Sequence, residues 1–162
     1  MKHSLLLFIS ILFIAISCKE SATNETSTPA PTVTKAKKDL PPISRNEIIS
    51  LYNTADHIDY IFFDWDFSMN QSDPNAVQAA VTFISDVGPS ADINGCNAIG
   101  HLVFLSKGEI IKEADLFYSD NCYFYGFTDE NARQANYNAM TDQGIGFYKN
   151  MFAQALQPVQ AQ

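Results

Sequence analysis

Hydrophobic and polar positions alternate along "YIFFDWDFSMN", Tyr60 to Asn70. In a strand, successive side chains point to opposite faces. Read so, Ile61, Phe63, Trp65, Phe67 and Met69 share one face. Tyr60, Phe62, Asp64, Asp66, Ser68 and Asn70 share the other. No helical period sorts these residues as cleanly, so the stretch predicts one amphipathic strand. Upstream, "PPISRNEIISLYNTADH" carries helical spacing instead, with Ile48, Leu51, Tyr52 and Ala55 on one side. Ser44 and Glu47 form a capping box at its start, and the helix should end near Asp56–His57.

Downstream, Asp73 followed by Pro74 is an N-cap with proline in the first turn. It opens a helix expected to run to about Ser85. "DVGPSADING" reads as a loop. "CNAIGHLVFLSKGEIIKEADLFY" reads as two strands joined by a tight turn at Lys107–Gly108, where Gly108 supplies a positive φ. With a two-residue turn, Cys96 falls opposite Ser119 and Cys122 lies three residues beyond it. "CYFYGF" is a further strand and "RQANYNAM" a last one. "TDQGIGFYKNMFAQAL" closes as a helix capped by Thr141, with Ile145, Tyr148, Phe152 and Leu156 as its buried stripe. The order is helix, strand, helix, four strands, helix. Hairpin connections imply an α+β fold: an antiparallel sheet of about five strands with helices packed on one face.

The ends of the chain read differently. "MKHSLLLFISILFIAISCKE" has a basic start and an apolar run from Leu5 to Ile16. The run is too short for the roughly 20 residues that span a bilayer, and it fits the core of a secretory signal peptide. Ending in "AISC", it resembles a bacterial lipoprotein box. That resemblance implies a leader over residues 1–17 and a Cys18 freed at its amino group and lipidated. "CKE" resembles the charged signals of Bacteroidota surface lipoproteins. Together these imply an outer-membrane anchor, on the periplasmic or cell-surface side, and a membrane contact made through lipid. Residues 18–40 are rich in Ser, Thr, Ala, Pro and Lys and lack aromatics, as a disordered tether does. A single domain over 41–156 and a short tail, 157–162, complete the organisation.

The formal net charge is −8. From Asp39 onward sixteen Asp and Glu face five basic residues: Arg45, Lys107, Lys112, Arg133 and Lys149. A field of that sign repels phosphate backbones, which argues against nucleic acid as a partner. With Cys18 assigned to lipid, Cys96 and Cys122 remain, and an even number in an exported chain predicts a disulfide.

Candidate chemistry is sparse. Asp64, Asp66, Ser68 and Asn70 start like a calcium loop, but the sixth position is Met69 and the twelfth Asn75, where Gly and Glu are required. No zinc spacing, hydrolase elbow or phosphate loop occurs, and no metal or cofactor is expected. Asp64 and Asp66, about 6.5–7 Å apart at Cα in a strand, could with His101 form a hydrolase site. The alternative is a non-catalytic face made of Asp64, Asp66 and Ser68, with Tyr123 and Tyr125 beside them. Rings next to carboxylates suit a cationic protein segment or a glycan. Two functions therefore stand: an envelope lipoprotein that binds a protein, peptide or glycan, including inhibitor or immunity-like roles, and a small periplasmic hydrolase.

Overall fold

The computed structural model describes residues 36, 40–65, 67–90 and 92–155. All belong to one unit, Pro31–Gln162. Cys18, Asp66, Leu156, the leader and the tail lie outside the described residues. Among the described residues no helix is long and apolar enough to cross a membrane.

Among the described residues, three helices and six strands follow in the order α1 (Arg45–Thr54), β1 (His57–Phe62), β2 (Ser68–Gln71), α2 (Pro74–Val81), β3 (Gly100–Ser106), β4 (Glu109–Ser119), β5 (Cys122–Thr128), β6 (Gln134–Ala139) and α3 (Asp142–Ala155). The strands form one sheet in the order β2-β1-β3-β4-β5-β6, and every neighbouring pair is antiparallel. The architecture is α+β, as the patterning implied.

Local chemistry sets most boundaries. Ser44 Oγ accepts from the Glu47 amide at 3.2 Å, and the Glu47 carboxylate accepts from the Ser44 amide at 2.9 Å. The Asp73 carboxylate accepts from the amides of Asn75 and Ala76, each at 3.0 Å. These bonds satisfy amides that a helix start leaves without partners. Lys107 and Gly108 both have positive φ, 54° and 82°, which is the signature of a two-residue turn matched to strand twist. Thr141 Oγ1 accepts from the Gly144 amide and caps α3. Gly144 is also a contact point: a Cβ there would come within 2.7 Å of the Phe83 side chain.

The single strand expected over Tyr60–Asn70 is instead a hairpin. The chain leaves the sheet after Phe62, bends at 63–65 and returns as β2, with Tyr60 opposite Met69 and Ile61 opposite Ser68. The cause is a clash of phases. In β1 the buried residues are Ile58, Tyr60 and Phe62, so Ile61 points outward and is 42% exposed. Beyond it the apolar set falls on odd positions. A turn between the two lets Trp65, Phe67 and Met69 pack against the same cluster as Phe62. The ring centroids of Phe62 and Phe67 are 4.9 Å apart, and those of Phe62 and Trp65 5.8 Å. Trp65 is half-buried and Asp64 exposed.

Two smaller expectations also shift. The helix opened by Asp73 ends at Val81 rather than near Ser85, because Ile84 bridges Met140 and the Ser85 amide donates to the Ala139 carbonyl. A register shift at Phe104/Leu105 pairs Gly100 with Leu116, and β3 begins only at Gly100, so Cys96 precedes the ladder instead of facing Ser119. Ser119 pairs with Cys122.

All three helices lie on one face. Leu51 of α1, Val77 and Val81 of α2, and Tyr148 and Phe152 of α3 join Tyr60, Leu102, Leu116 and Tyr125 of the sheet in the main core. The opposite face is covered over only part of its width. There Ile93, Cys96 and Ala98 pack on Phe117, Phe124 and Tyr137. The Cys96–Cys122 disulfide, with Cα atoms 5.9 Å apart, fastens this segment to the sheet. Closing a loop of 26 residues contributes roughly 3–4 kcal/mol on a chain-entropy account. Asn138, fully buried, accepts from the Ile43 amide and donates to the Ser85 carbonyl, tying both flanking segments to the edge strand β6.

Candidate functional site

The face proposed from the sequence is divided by the fold. Ser68 sits on the edge strand opposite Ile61, on the side away from the helices. Tyr123 and Tyr125 face the helices, because they pair with Tyr118 and Leu116. Tyr125 is 1% exposed and packs near Tyr148; burial pushes its phenol well above the ordinary value. Tyr125 is therefore a core residue and no part of an open face. Tyr123 is half-buried near the end of the sheet. Asp64 occupies the bend at 63–65 rather than a strand face, and Asp66 lies outside the described residues.

His101 is elsewhere. It stands on the helix-free side, between Ile61 of β1 and Asp115 of β4. Both ring nitrogens are engaged, Nδ1 with Asp115 at 3.0 Å and Nε2 with Glu113 at 3.3 Å. Gln134 donates to the other Asp115 oxygen at 2.8 Å, and the Tyr137 hydroxyl donates to Gln134. Asp115 is nearly buried, at 6% exposure, so this network satisfies a carboxylate that would otherwise be costly. The hydrogen bond to Asp115 raises the His101 pKa above its ordinary 6.5; burial opposes it and Glu113 adds to it. Asp64, on the turn, lines a hollow that His101 does not.

What the structure gathers around Asp64 is aromatic. A hollow of about 270 Å³ is lined by Asp64, Trp65, Ile99, Tyr118 and Phe152. Trp65 and Phe152 meet edge-to-face with centroids 4.2 Å apart, and Tyr118 lies 5.3 Å from Phe152. Tyr118 is pinned by its hydroxyl, which donates to the Ile145 carbonyl at 3.1 Å. The walls are thus fixed by packing and by a hydrogen bond, while the carboxylate is exposed. Ring faces attract cations through their quadrupole, and a carboxylate at the rim adds charge. Asp64 and Trp65 are legible in the sequence as a carboxylate beside a ring, whereas Phe152 reads there only as part of a buried stripe. Its position at the rim depends on where α3 ends over the sheet, which no local pattern encodes.

Two other hollows lie elsewhere on the described surface. One of about 580 Å³ lies between α1 and the β3–β4 turn, with Glu47 and Lys112 3.7 Å apart across it. Its charges oppose each other. A smaller one, about 230 Å³, includes Tyr123. Among the described residues no group of three or more His, Cys, Asp and Glu is placed to hold a metal ion. No family model, curated protein or solved structure matches the chain.

The His101 network makes stability depend on pH. A pKa raised by folding stabilises the protein fully below the ordinary value of 6.5 and loses that contribution as pH rises through the raised value. Urea melts of the wild type and His101→Gln at about pH 5.5 and about pH 8.5 check this. The wild type should be favoured at the lower pH, and the gap should narrow at the higher one. A gap that widens with pH would contradict the assignment.

Proposed function

We propose that the chain is an envelope lipoprotein whose domain is a non-catalytic binding module for a cationic segment of another protein. The observation that carries the reading is the Asp64 carboxylate beside the rings of Trp65, Tyr118 and Phe152 in one hollow. A guanidinium or ammonium over such rings gains about 0.5–1 kcal/mol when exposed and about 2 when desolvated. The acidic balance, net −8, steers cations toward the domain. A role as an inhibitor or immunity-like protein fits a module of this kind. A neutral glycan would use the rings but not the charge. The hydrolase reading is less well supported, because His101 gives both ring nitrogens to Asp115 and Glu113 and not to Asp64.

Anchoring rests on the N-terminal resemblance. Cys18 would carry the lipid and hold the domain at the outer membrane, facing the periplasm or the cell surface, since lipid chains rather than the domain supply membrane affinity. Cys18→Ser should abolish incorporation of a labelled fatty acid and release the protein from membranes. Undiminished label in the variant would refute the anchor.

Trp65 is the chain's one tryptophan, so its fluorescence reports the hollow directly. Adding a hexa-arginine peptide to the full chain should change Trp65 emission. Asp64→Asn should weaken binding about fivefold, the scale of one exposed ion pair, and added salt should weaken it further. An identical response to hexaglutamine, or no effect of Asp64→Asn, would contradict the reading.

A further inference from the structure

The two edges of the sheet differ. Along β6 the edge is closed. The Tyr137 amide donates to the Pro41 carbonyl at 3.1 Å, the Ala139 amide to the Val87 carbonyl at 2.8 Å, and the Ala139 carbonyl accepts from the Ser85 amide at 2.9 Å. β2 pairs with β1 on one side and, among the described residues, has no strand on the other. Which of its groups face outward follows from β1. The Phe63 amide donates to the Ile99 carbonyl at 3.0 Å, and a Cβ on Gly100 would come within 2.8 Å of the Ile61 carbonyl oxygen. Ile61 and Phe63 thus turn backbone groups toward β3. Bonding alternates along an antiparallel ladder, so Ile58 and Tyr60 turn theirs toward β2, to Gln71 and Met69. Ser68 and Asn70 are left with amide and carbonyl directed away from the sheet. Both residues are exposed, and no backbone hydrogen bond reaches these outward groups among the described residues.

The strand is held from behind. Met69 packs against the main core, and the Tyr60 hydroxyl donates to the Gln71 side chain at 2.9 Å. β2 carries no lysine, proline or bulge of the kind that blunts an exposed edge. In sequence it is bracketed by exposed carboxylates, Asp64 before it and Asp73 after it. From 46 to 106 the chain has eight Asp and Glu and no Lys or Arg. Two copies pairing through β2 would bring like charges together, whereas a basic strand meets opposite charge. We propose that this edge takes one extended, basic segment of another protein as an added strand, bonded to the outward groups of Ser68 and Asn70. The charge of the partner rests on the cation-binding reading above; the strand edge is a contact separate from the hollow.

Amide hydrogen exchange of the full chain, read by NMR, tests this with a capped hexapeptide, lysine-threonine-valine-threonine-valine-lysine, whose β-branched core favours extension. In the free chain Ser68 and Asn70 should exchange faster than Met69, whose amide is bonded to β1. Saturating peptide should slow Ser68 and Asn70 about tenfold. The same peptide N-methylated at every residue between the lysines keeps its charge but loses those donors, and should leave both amides unchanged. Amides of Ser68 and Asn70 that are already slow in the free chain, or that ignore the peptide, overturn the edge site; a Trp65 response to hexa-arginine then still supports the hollow. Equal slowing by a peptide with glutamate in place of lysine overturns the basic partner. Slowing that grows with protein concentration when no peptide is present overturns it in favour of a second copy. Slowing by the lysine peptide without any Trp65 response to hexa-arginine supports the edge and sinks the hollow.

Discussion

Everything described depends on one packing row. Tyr60, Leu102, Ala114 and Phe127 lie side by side across four strands, and α3 lowers Tyr148 onto Tyr60 and onto Tyr125, two residues before Phe127 on the same face. Because side chains alternate along a strand, fixing this row fixes both faces. A slip of one residue would send His101 and Asp115 beneath the helices without their partners, a cost of several kcal/mol for a buried charge left unpaired. The row therefore sets the register, and with it the outward direction of Ile61, Asp59 and His101.

The candidate site is the rim of that same core. Phe152 is the last buried residue of α3, and Phe62 the last of β1. Their rings are 5.5 Å apart, and Trp65 closes against both. The turn that lets Trp65 do so also brings Asp64 to its edge. Ring surface and charge are placed together by the geometry of a core that runs out at the end of a sheet. A site so made is preorganised, because its walls are held by contacts that already stabilise the fold.

Where structure follows from neighbours in sequence, the chain discloses it. Ser44 with Glu47, Asp73 with Pro74, and Lys107 with Gly108 each act within a few residues, and each appears where the pattern puts it. The pairing of Cys96 with Cys122 follows from there being only two cysteines to pair in the domain. The bend at 63–65 is hidden because alternation continues through it without Gly, Pro or Asn to mark it. The bulge at Phe104/Leu105 leaves no local mark either. At the site, Asp64 and Trp65 were legible as a carboxylate beside a ring. Tyr118 and Phe152 join them through contacts 53 and 87 residues distant in sequence, measured from Trp65. Nothing local to Tyr123 and Tyr125 says which face they take; the pairing of Tyr125 with Leu116 turns it toward the helices and away from an open surface.

Where a cation binds decides the function proposed for the domain. Backbone amide NMR of the labelled full chain, titrated with the hexa-arginine peptide, locates it residue by residue. The amides of Asp64, Trp65, Ile99, Tyr118 and Phe152 should shift together, with one affinity that falls as salt is added. Shifts centred on Glu47 and Glu109 beside α1, or on Glu113 and Asp115 around His101, with those five amides unmoved, would contradict it.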